Sequence, residues 1–82
     1  MNEDADIGKL VCKYIYTNWI MESKSQREFA TIHGIEESTV RRIKNIALDT
    51  SKTEYNMSLN TLFKICQKRD IRLADFFKMV GI

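Results

Sequence analysis

The 82-residue chain contains no proline and only three glycines. An all-β architecture needs many tight turns, which so few turn formers serve poorly, whereas nothing interrupts helices. Cysteine is scarce too. Cys12 and Cys66 stand far apart and outside any Cys-x-x-Cys or Cys/His spacing, so two reduced thiols are expected, in a cytoplasmic protein with no signal peptide. The single histidine, His33, has no ligand companion, which favours a partly buried structural role over a metal or catalytic one. No long uncharged run is present, which excludes a membrane-spanning segment, and 44% hydrophobic content excludes disordered and collagen-like classes. What remains is one compact helical domain over residues 1–82, too short for a second core.

The formal net charge of +2 names no partner by itself, but its distribution is informative. Glu3, Asp4 and Asp6 place three acids in the first six residues, leaving the remainder at +5, and Arg41, Arg42, Lys44 and Lys52 outweigh Asp49 in one stretch.

Apolar spacing predicts five helices. Ile7, Leu10, Val11, Tyr14 and Ile15 mark a helix from about Asp4 to Glu22, capped by Asp4 or Asp6. A second stripe of Cys12, Tyr16, Trp19 and Ile20 makes it apolar over more of its circumference than one contact requires. It is either central in a small core or covered by a partner subunit. Ser25-Gln26-Arg27-Glu28 fits a capping box that opens a second helix carrying Phe29, Ala30 and Ile32 and stopping at Gly34. A third helix is expected over about Glu37 to Ala47, with Val40, Ile43 and Ala47 inward and Ser38, Arg41, Arg42 and Asn45 outward. Residues 49–57 read as a loop. A fourth helix from about Ser58 turns Leu59, Leu62, Ile65 and Cys66 inward, and a last helix after Asp70 presents Leu73, Phe76, Phe77 and Val80.

The second and third helices, joined by a glycine-containing turn and carrying polar and basic groups outward, have the order of a helix-turn-helix whose outer face fits a major groove. The stretch SQREFATIHGIEESTVRRI resembles the Ser-Gln-x-x-Leu-Ala-x-x-Leu-Gly-Ile-x-x-Ser-Thr-Ile-x-x-Ile pattern of the phage repressor and Cro-like (Xre-type) regulators. YNMSLNTLFKICQKRDIRLADFF resembles the two helices that follow in that family, so the likeness covers about residues 25–77. It implies a five-helix, lambda-repressor-like DNA-binding domain that binds double-stranded DNA as a homodimer.

Carried over by position, the resemblance implies base contacts from Glu37, Ser38 and Arg42, with Arg41 facing outward to bases or phosphates. Gln26 would grip a phosphate, with Ser25 a helix cap first and a phosphate contact second, and Thr39 and Asn45 would touch the backbone. The chemistry agrees: arginine donates twice to guanine O6 and N7, serine donates or accepts, and glutamate accepts from cytosine N4. Lys44 and Lys52 would add sequence-independent attraction to phosphates. Four positions depart from the pattern. His33 replaces a buried apolar residue, Glu36 a small cap, Asp70 a common glycine and Arg72 a capping serine. Two adjacent acids, Glu36 and Glu37, also repel phosphates unless one is aimed at a donor.

Catalysis is not expected. Glu36 and Glu37 project about 100° apart on a helix, so they do not converge as an acid/base pair, and no phosphate loop or nucleophile motif is present. No cofactor, metal, small-molecule ligand or membrane association is foreseen. The main expectation is a DNA-binding transcriptional regulator, a repressor on a two-fold operator, with Phe76, Phe77, Met79 and Ile82 supplying part of a dimer surface. The alternative keeps the fold as a protein-interaction module, an antitoxin-like partner or anti-repressor. The two diverge on whether Arg41 and Arg42 are engaged internally by acids.

Overall fold

Side-chain caps open three of the helices. In the computed structural model, which describes residues 6–50 and 57–82, the Asp6 carboxylate accepts from the Lys9 amide at 3.2 Å and opens α1 (Ile7–Ile15). The Ser25 hydroxyl accepts from the Glu28 amide at 3.0 Å and opens α2 (Gln26–His33). The Glu28 carboxylate reaches back one residue beyond the cap, to the Lys24 amide at 3.3 Å. Gly34, at φ 69°, ends α2 in the left-handed conformation, and α3 (Glu37–Ala47) follows. Ser58 caps α4 (Leu59–Lys68) through the Thr61 amide at 3.0 Å, and α5 (Leu73–Val80) closes the described chain. Every regular element among the described residues is helical.

The first helix differs from the single rod expected from Asp4 to Glu22. It is α-helical only to Ile15 and continues as a π-helical turn over Tyr16–Ile20, closed by the Met21 amide on the Tyr16 carbonyl at 3.0 Å. A five-residue ladder places Ile20 over Ile15, so Val11, Cys12, Ile15, Trp19 and Ile20 all reach the core. The two expected stripes thus merge into one broad face. The Asn18 amide donates to the Tyr14 carbonyl at 3.0 Å and the Ser23 hydroxyl to the Trp19 carbonyl at 3.3 Å, binding carbonyls where the ladder changes spacing.

α1 packs most extensively on α3, and α2 packs on both α3 and α4. Phe29, Val40, Ile43, Ile65, Cys66 and Phe76 are fully buried between them. Phe76 anchors α5 in an aromatic cluster, 5.6 Å from Tyr14 and 5.5 Å from Trp19 between ring centroids. Arg69 lies 4.5 Å over the Trp19 ring.

Several inward assignments are corrected. Ile7 and Leu10 are exposed because the face centred on Val11 and Ile15 leaves them at its solvent edge. Ile32 is exposed on α2, and Leu59, in the first turn of α4, is 73% exposed. Ala47 is only half-buried, with Ile46 packing against the core. Asp70 stands at φ 59°, the left-handed region that explains why a glycine suits that position.

Both cysteines are buried and free. Burial and the nearby Asp6 carboxylate push the Cys12 thiol up to about 11, and burial raises Cys66, so neither is a reactive thiolate at neutral pH.

Candidate nucleic-acid interface

The α2–α3 pair fixes one surface of the molecule. Val40 and Ile43, fully buried, lock one side of α3 against α1 and α2, and the turn is held by the Ile35 amide on the Ala30 carbonyl at 3.0 Å. The opposite side of α3 therefore faces solvent. Ser38, Arg41 and Arg42 are exposed there, and Glu37 and Thr39 are half-buried beside them. Ser25 is exposed and Gln26 half-buried at the start of α2.

Two positions are less open than expected. Lys44 is half-buried. Asn45 is half-buried too, and its side-chain oxygen accepts from the Thr50 hydroxyl at 3.3 Å while its carbonyl accepts the Thr50 amide at 2.9 Å. Asn45 thus braces the turn after α3 before it serves any partner. Lys52 lies outside the described residues.

The Glu36/Glu37 conflict has a local answer at Glu37. Its carboxylate lies 3.6 Å from Arg27 Nε and 4.0 Å from Arg41 Nη2, so two guanidinium groups flank one negative charge. The Arg27 pair was not foreseeable from residue spacing, since it bridges two helices whose relative placement depends on the Gly34 turn. Both contacts are long and exposed, and such pairs contribute about 0.2–1 kcal/mol, little enough for Arg41 to exchange its partner. Glu36, the last residue of the turn into α3, makes no side-chain cap bond, so its carboxylate takes none of the first amides of α3, where the positive helix end lies.

His33 does not belong to this face. It fills the apolar position as a buried ring stacked on Phe29, with centroids 3.9 Å apart. Its Nδ1 donates to the Phe29 carbonyl at 2.8 Å, and Nε2 is buried without a hydrogen-bond partner among the described residues. Burial lowers its pKa most; the Phe29 carbonyl acts in the opposite sense, and Arg69 and Lys68 lower it further.

A second surface, formed by α1, α4 and α5, is apolar. Ile7, Leu59 and Ile82 are exposed around clefts that Val11, Met57 and Phe77 line. Among the described residues there is no cluster of three His, Cys, Asp or Glu side chains able to hold a metal ion, and no helix long and apolar enough to cross a membrane. Compared with known protein families, curated proteins and solved structures, the chain matches none.

Proposed function

We propose that this protein is a sequence-specific DNA-binding regulator of transcription with a lambda-repressor-like helix-turn-helix, acting as a repressor in the cytoplasm. The observation that carries this reading is the division of α3: one side is locked into the core by Val40 and Ile43, while Ser38, Arg41 and Arg42 stand on the exposed side. Arg42 and Ser38 read base edges, Arg41 reads bases or phosphates, and Glu37 accepts from a cytosine amino group while its arginine neighbours limit repulsion. Gln26, Ser25 and Thr39 hold the sugar-phosphate backbone, with Lys44, Asn45 and Lys52 in supporting positions.

A homodimer completes the reading. The surface around Ile7, Leu59, Phe77 and Ile82 carries both protruding apolar side chains and the clefts to receive them, as a two-fold contact requires. It involves no residue of α3, so pairing leaves both reading helices exposed, and a spacing of about 34 Å sets them in successive major grooves.

The Arg41–Glu37 contact favours the second reading, a protein-interaction module of the same fold, because it engages one of the expected DNA donors internally. Selection of bound duplexes from a random pool, followed by a salt titration, separates the two. A DNA reader returns a two-fold motif and an affinity that falls steeply with salt; a protein-only module returns no motif and no binding even at low salt.

A further inference from the structure

A shallow cleft runs between the C-terminal halves of α2 and α4, with Ile32, His33 and Gly34 on one wall and Lys64, Gln67 and Lys68 on the other. None of these residues belongs to α3 and none is an acid. Lys64 and Lys68 are exposed one helical turn apart, and among the described residues neither forms an ion pair. Two like charges at this spacing repel. Lys68 is in the last turn of α4, where the negative helix end attracts it, but Lys64 is a full turn earlier and beyond that effect. The same cleft is flanked by apolar surface: Ile32 is 47% exposed, and Phe63, one turn before Gln67, is 49% exposed.

We infer that this cleft is a docking site for an acidic segment of a partner protein, one that sets two carboxylates against Lys64 and Lys68 and an apolar side chain against Ile32. A nucleic-acid backbone would answer the lysines but leave Ile32 and Phe63 uncovered, so the combined surface favours a peptide. This inference goes beyond DNA recognition and does not rest on it. Among the residues of the site, His33 supplies a built-in reporter, since it is the one histidine of the chain. The groups facing its ring are the Phe29 carbonyl on its own helix and the Lys68 and Arg69 charges from α4 and its end. Carboxylates that offset Lys68 raise the His33 titration midpoint.

The test uses the intact chain and a random dodecapeptide pool displayed for selection, with a random-sequence DNA duplex as a parallel ligand. Recovered peptides are expected to carry paired acids beside an apolar residue and to raise the His33 midpoint followed by NMR. They should bind roughly two- to thirtyfold more weakly to the Lys64→Gln/Lys68→Gln double variant, the combined weight of two exposed ion pairs. Glutamine is a good helix former, so the double variant keeps α4. Glutamate-to-glutamine peptides should lose binding similarly without any change to the protein. The inference is overturned if no peptide is recovered, if recovered peptides lack acids, or if their glutamine versions bind equally. It is also overturned, in favour of a phosphate contact, if the double variant loses affinity for the duplex and not for the peptides.

Discussion

The outer face of α3 and the surface shared by α1, α4 and α5 are built from opposite materials on one small body. The first is polar and basic, with its ion pairs long and solvent-exposed, so its groups exchange partners at little cost. The second exposes Ile7, Leu59 and Ile82, which gain only by leaving water. A wet partner suits one and a dry partner the other. The core between them holds both at once, because α1 is packed on α3 and also touches α5.

The largest expected effect lies in that shared core. Phe76→Ala removes the ring against which Tyr14 and Trp19 close, and should cost about 3–5 kcal/mol in denaturant unfolding, degrading both surfaces together. Arg42→Ala should break the comparison at the α3 face: about 1–3 kcal/mol less discrimination at one base pair, measured across operator variants. Equal binding to every operator variant would remove Arg42 from base reading.

Gly34→Ala tests the turn that sets α3. A methyl there meets no atom within 4 Å, so the cost is the left-handed backbone alone, about 1–2 kcal/mol in thermal unfolding. His33 gives a pH effect. Its folded pKa lies below the ordinary 6.5, so the neutral ring is favoured in the folded state. Stability is full above the unfolded value and falls as pH drops from 6.5 through the folded value; His33→Phe should abolish that contribution to the slope measured by urea unfolding. The smallest effect on stability belongs to Leu59→Ser, within about 0.5 kcal/mol, while sedimentation at micromolar concentration should shift from dimer to monomer. A variant that stays dimeric would move the two-fold contact elsewhere.

Much of the fold was legible because local chemistry decides it. The Ser25 and Ser58 caps, the Gly34 stop, and the buried positions of Phe29, Val40, Ile43 and Ile65 follow from spacing and side-chain type. The misreadings have one cause: periodicity says which residues share a face, not where that face ends. Leu59 lies in line with Leu62 and Cys66 on paper, yet it is exposed while they are buried. Ile32 fails likewise at the edge of α2. At the candidate interface, the exposure of Ser38, Arg41 and Arg42 was legible for the same reason as the burial of Val40. The Arg27–Glu37 pair and the bracing of Asn45 by Thr50 were not, because both depend on how the chain bends between helices.

The widened turn at Tyr16–Ile20 has a further bearing on how this chain tolerates change. A residue deleted there would restore an ordinary spiral, the commonest local geometry, in which four residues close the turn that five close now, so the flanking segments would keep their facing. Val11 and Ile15 would stay in the interior. The segment that departs most from regularity is thus the one where the chain can shorten by a residue without turning either flank.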